Sequence, residues 1–347
     1  MIKVSSIGKF LDQPLLTAKL NKQIPTILTL GSGIFLAKEL KNTPKEDKIK
    51  KGIQTSIILA TTSISAIKAP KIANYLTKRP ATKTLEELKI QNSKSIQEII
   101  TNNKYSEKVE SILHRAKDKI LSLKEVDTLH QKLDKQSFDK IIPPPTNITS
   151  NDLFREIGWL SIFGAIPVAG GVAGGIAADM TTEKDWKSRV SNKVKEGTYQ
   201  YLANIFMCNI GAGAALGILE HNNIKSKSAR CIGMITGIIL TGVIGGSAIA
   251  NFISNKLINP LLSGKNQNKK EIRTPELLDL GLHTDDIATV SLLSGLKWIE
   301  PSLPLLYAVS GYRAGIGYRN NDKHHHSKNC SQNQEKLIFY EKSVRYS

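Results

Sequence analysis

Few side chains in this sequence stand at spacings that chemistry could use. Lys297 and Glu300 are three apart, so on a helix they share a face within reach of each other. In a segment that enters a membrane such ionisable residues are functional candidates, as an intramembrane ion pair; on a surface they are an ordinary solvated pair. The stretch IGAGAALG (Ile210–Gly217) places Gly211, Gly213 and Gly217 in imitation of a dinucleotide turn. A ribose-binding acid would then have to follow about 20 residues on. Glu220 comes too soon and Glu271 too late. His324, His325, His326 and Cys330 offer metal-ligand chemistry, but adjacent histidines in a polar tail have no fixed geometry. His283 with Asp285 and Asp286 is too thin for a catalytic site. No Ser-His-Asp or Cys-His arrangement, P-loop or HExxH motif occurs. The sequence therefore implies no enzyme, no cofactor and no metal.

The elements that would position any site are apolar helices. Three uncharged runs stand out: Ile157–Ala178 with 22 residues, Gly197–Leu219 with 23 and Cys231–Asn255 with 25. A spanning helix needs about 20 such residues, at about 1.5 Å each, to cross about 30 Å of hydrocarbon. Gln200, Asn204 and Asn209 soften the second run. Asn204, Asn209 and Asp179 are the few polar candidates for lining a path. Two shorter runs, 24–37 and 52–67, are closely flanked by Lys22, Lys38, Lys51 and Lys68. Lysine stems can reach an interface from such ends, so these runs admit a short membrane hairpin. A further stretch, 287–312, is interrupted by Lys297, Glu300, Pro301 and Pro304. Trp159, Tyr199 and Tyr201 lie near the starts of long runs, where interfacial aromatics belong.

Between Pro80 and Pro143 the character turns polar. Thr84 with Glu87 forms a capping box. Val109, Ile112, Leu113, Ala116, Ile120 and Leu123, then Val126, Leu129 and Leu133, keep helical spacing. Two or three amphipathic helices are expected, ended by Pro143–Pro144–Pro145. The expected organisation is a basic N-terminal region over 1–80 with a short membrane hairpin, a charged helical segment over 81–150, a glycine-rich transmembrane core over 151–320 and a polar tail over 321–347. No strand pattern appears. The fold class is all-α, a multi-span helical membrane protein.

Small residues recur every fourth position in the apolar runs. Gly233, Gly237, Thr241 and Gly245 form one stripe, and Gly242, Gly246 and Ala250 another. Gly170 with Gly174, Gly171 with Gly175, and Gly213 with Gly217 repeat it. Such a stripe lies on one helix face and lets another backbone approach closely, either within the chain or between copies. It resembles glycine-zipper membrane segments in general, a packing style that implies no activity.

The net charge is +18, concentrated at the start: residues 1–80 carry 14 basic against 4 acidic side chains. The lysines crowd the ends of apolar runs, and no basic patch with interleaved aromatics is present, which points to lipid rather than nucleic acid. Three dispersed cysteines make no disulfide framework. An excess of Lys, Ile and Asn over Arg suggests an AT-rich bacterial genome and so a bacterial cell membrane. The expected role is structural scaffolding, with the bilayer as partner, a homo-oligomer through the small-residue faces and a protein partner for residues 81–142. The alternative is a channel or carrier lined by the glycine-rich helices.

Overall fold

A computed structural model describes residues 4–80, 82–144, 150–224, 226–262, 273–274 and 297–317. The expected polar tail, His283 and the histidine run lie outside them. All regular structure among the described residues is helical, without strands.

Helix α1 (Val4–Leu11) leads into α2 (Pro14–Asn42), which a short turn joins to α3 (Lys48–Leu76). The two short uncharged runs thus sit inside 29-residue helices, because the lysines that end each run do not end the helix. They lie side by side as an antiparallel hairpin, with a Ser32–Ser63 hydroxyl bond at 3.2 Å across the seam.

Four short helices follow: α4 (Leu85–Asn102), α5 (Glu107–Ala116), α6 (Leu123–Lys132) and α7 (Lys135–Ile141). Thr84 and Glu87 cap α4 reciprocally, and Ser122 with Glu125 does the same for α6. Asp134 accepts from the Ser137 backbone to start α7. The stripe Val109, Ile112, Leu113, Ala116, Val126, Leu129 and Leu133 is buried in one small core with Ile96, Phe138 and Ile141. Phe10 of α1 packs on this core, so α1 belongs with the small helical domain. Gln13, at the start of α2, clamps it: its amide donates to Leu121 O at 3.0 Å and accepts from Leu121 N at 2.8 Å.

The long helices begin with α8 (Ser150–Thr182). A three-residue turn leads to α9 (Trp186–Tyr201), which continues through a π-helical segment (Leu202–Phe206) into α10 (Met207–His221). Then α11 (Lys227–Ile238), a π segment (Ile239–Gly246), α12 (Ser247–Ile253), a second π segment (Ser254–Ile258) and α13 (Asn259–Leu262) form one rod. A 3₁₀ turn (Lys297–Ser302) precedes α14 (Leu303–Ile316). Among the described residues, three helical stretches are long and apolar enough to cross a membrane: Phe154–Thr182, Trp186–His221 and Ile232–Leu262.

The basic stretch 179–196 between the first two apolar runs is mostly helix, since only residues 183–185 turn. Of its charges, α9 carries Lys193, Lys195 and Glu196 into the bundle. Contacts fix the directions. Ser65 and Thr61 of α3 face Gly170 and Gly174 of α8, so these two are antiparallel; Gly311 and Gly315 of α14 face Gly171 and Gly175, so α14 runs parallel to α8. The small helical domain therefore sits at the end where α8 starts, and the α2–α3 and α8–α9 turns share the far end.

Candidate functional site: a buried ionic cluster

The second half of α9 carries Glu196 and Gln200, and the π segment that continues it carries Asn204, the three spaced four apart. Side-chain bonds link them as a ladder: Gln200 Nε2 donates to Glu196 Oε1 at 2.8 Å, and Asn204 Nδ2 donates to Gln200 Oε1 at 3.0 Å. All three are buried, Glu196 completely. A carboxylate there needs a cation, since burying an unpaired charge is prohibitive. Arg273 supplies it. Its Nε meets Glu196 Oε2 at 2.9 Å and its Nη2 meets Oε1 at 3.2 Å, the two-pronged geometry a guanidinium favours. The guanidinium lies 3.7 Å over the Tyr199 ring. Tyr199 Oη in turn shares a hydrogen bond with Ser247 Oγ at 3.0 Å. Asn251 of α12 holds the Arg273 backbone on both sides, accepting from its N–H and donating to its carbonyl, each at 2.9 Å. Arg313 of α14, also buried, is within Coulomb reach of Glu196.

One turn earlier, Lys193 pairs with Asp179 of α8 at 3.1 Å, both side chains nearly sealed from solvent. Its ammonium also donates to Gly315 O at 2.7 Å, one of the carbonyls left open where α14 ends. A cation at that end complements the helix dipole. Gly317 closes α14 with φ of 66°, where Lys193 packs against it, so a glycine is suited twice over. Outside the apolar spans, Glu183 in the α8–α9 turn takes Lys50 at 2.8 Å, Gln54 at 3.1 Å and Arg189 at 3.0 Å. The bond from Lys50 foremost, with Arg189 and Gln54, holds its carboxyl below the usual carboxylate range.

Close-approach seams surround the cluster. A Cβ on Gly171 or Gly175 would collide with the backbone of Gly311 or Gly315, and one on Gly170 or Gly174 with Ser65 or Thr61. Between α10 and the rod that starts with α11, Gly237 and Gly211 face each other's carbonyls, while Thr241 donates to Met207 O at 2.8 Å. Gly233 faces only the flexible end of Leu219. Gly217 faces open space and Gly245 meets only its own helix, so neither touches a neighbour; Gly213 is buried within α10. The stripes bend away from a straight four-residue row because the π segment rotates the helix face. The IGAGAALG stretch lies mid-helix in α10, with Gly211 spent on this contact.

Glu300 lies at the other end, in the 3₁₀ turn, 4.0 Å from Arg79 of the α3–α4 link. Lys297 lies in the same turn; its side chain is outside the described residues. Arg79 also pairs with Glu156 at 2.9 Å and covers the Trp159 ring, whose Nε1 donates to Asn74 at 2.6 Å. Asp179, Asn204 and Asn209 are all buried. Asp179 and Asn204 join the ionic cluster.

The cluster's centre, Glu196 with Arg273, Lys193 and Arg313, is absent from the sequence-level candidates. The four-residue spacing of Glu196, Gln200 and Asn204 and of Gly311 and Gly315 is visible in the sequence and could have pointed to it. The pairing of Arg273 leaves no local trace. Among the described residues no group of three His, Cys, Asp or Glu side chains could hold a metal ion. Set against known protein families, curated proteins and solved structures, the chain matches none, so the cluster is read from its own geometry.

Proposed function

We propose that this chain is a multi-span integral protein of a bacterial cell membrane and that its role is non-enzymatic scaffolding. The bundle holds the small helical domain at one bilayer face, where it meets a protein partner. The observation that carries the membrane reading is the rod Ile232–Leu262. It is the most apolar of the three stretches, yet only 28% of its most apolar 18 residues are buried within the chain. Ile232, Leu240, Ile244, Phe252 and Leu261 are each more than half exposed. A row of this kind in water would be an aggregation liability, whereas in lipid it is the expected outer face. The scaffold reading is supported by the filled seams, which join α8 to α14 through backbone contacts and to α3 through Thr61 and Ser65 and leave little freedom to rearrange.

A channel or carrier is the second reading, and the ionic cluster favours it. Ionisable side chains inside a span mark ion or proton paths more often than packing. Three π segments in two rods add to this, because π-bulges gather at functional sites. Flux decides between them. Proteoliposomes containing the full chain, loaded with a pH- or cation-sensitive dye and energised by a gradient, are expected to leak no faster than empty liposomes. A flux above that background, abolished by Glu196→Gln, would replace the scaffold reading with the carrier.

A further inference from the structure

At the domain end, where α2 enters the bundle and α3 leaves it, lies a cleft of about 820 Å³. This is within the range of pockets that hold sizeable ligands, about 300–1,000 Å³. Ile24, Ile67, Pro70, Trp159, Phe163 and Pro304 make its wall apolar. Lys22, Lys71, Arg79 and Lys83 stand around it. Arg79 is neutralised by Glu156 and Glu300, and the other lining acid, Glu86, pairs with Lys89 at 3.0 Å. The three lysines have no carboxylate partner among the described residues: Lys83 donates to the neutral Gln91 at 2.6 Å, and Lys22 and Lys71 make no ion pair or hydrogen bond there. Beside the cleft, Ile72, Tyr75 and Leu76 of α3 are exposed.

We infer that this cleft binds an anionic membrane phospholipid, its phosphate between Lys22, Lys71 and Lys83 and an acyl chain along the Ile24–Ile67 wall. The inference rests on the membrane reading, which places the lysines at headgroup depth beside Trp159 and Tyr75, where interfacial aromatics sit. An uncompensated cationic mouth disfavours a zwitterionic headgroup. The apolar wall, which a small ion leaves unused, disfavours free phosphate. Lysines near an anionic surface each add attraction, and three converging on one phosphate add it at one site.

The test uses the full chain in mild detergent, with native mass spectrometry counting bound lipid during titration with dioleoyl phosphatidylglycerol or dioleoyl phosphatidylcholine. Phosphatidylglycerol is expected to bind at least about tenfold more tightly, and the Lys22→Gln/Lys71→Gln/Lys83→Gln variant to lose that preference by about tenfold or more. The control Lys38→Gln/Lys41→Gln/Lys45→Gln removes three exposed lysines from the far end and should bind as the parent does. Equal losses in both variants, no loss in either, or equal binding of the two lipids would overturn the site. Inorganic phosphate should not displace the lipid at millimolar concentration; if it does, the site takes free phosphate and the proposal fails. If the chain proves water-soluble, the membrane reading falls by itself. Dihexanoyl phosphatidylglycerol titrated without detergent against the same variants then decides the cleft alone, with loss on the cleft variant upholding it and no loss ending it.

Discussion

Arg273→Ala is expected to destabilise the protein by about 3–5 kcal/mol, the usual cost of removing one partner from a buried ion pair. The substitution leaves Glu196 with one hydrogen bond from Gln200 and no bidentate cation, at a position sealed from solvent. It also empties the space over the Tyr199 ring. The size of the effect comes from the charge left behind rather than from the worth of the pair. For that reason the double variant Glu196→Leu/Arg273→Met should recover most of the loss, since replacing both charges with apolar groups of similar volume is often neutral. Thermal unfolding in mild detergent reads both. If the double variant melts no higher than Arg273→Ala, the pair is not an isolated buried ion pair and Arg313 or Lys193 must carry part of the balance.

Gly171→Leu should cost more than about 3 kcal/mol, the upper end of ordinary overpacking. Its first added atom already collides with the Gly311 carbonyl, and a backbone cannot swing aside as a side chain does. Gly217→Leu adds the same side chain to a helix of similar character, but Gly217 faces open space. It should change stability by about 0.5 kcal/mol or less, apart from the helix-propensity gain of up to about 1 kcal/mol on leaving glycine. Both variants keep the helices equally apolar, so insertion is preserved and the comparison isolates the seam. Equal melting points would mean that α8 and α14 do not meet through Gly171 and Gly311.

These two positions also show what a linear reading can reach. Gly171 and Gly175 are legible because a four-residue period places them on one helix face. Their partners, Gly311 and Gly315, are some 140 residues away, and only tertiary contact makes the seam. The three apolar runs and the caps at Thr84 and Glu87 are local features, and the structure places them where the pattern does. The start of α9 is different. Charge is the signal that ends an apolar run, so Lys193 and Glu196 mark an end to it; in the fold their partners lie on α8, α14 and the segment holding Arg273, and neutralisation lets the helix carry them inward. Gly245 has the right period and no neighbour because the π segment Ile239–Gly246 turns the helix face after Gly237, and Gly217 has the right period but faces open space from α10.

If α8 crosses a bilayer, as proposed, the small helical domain and the α8–α9 turn lie on opposite sides of it. Single cysteines at Asn103 in the domain and at Lys184 in the turn, both exposed, test it in a chain whose Cys208, Cys231 and Cys330 have been replaced. In sealed vesicles of one orientation, a membrane-impermeant maleimide should label only one of the two, and permeabilisation should reveal the other. Labelling of both from the same side before permeabilisation would contradict the account.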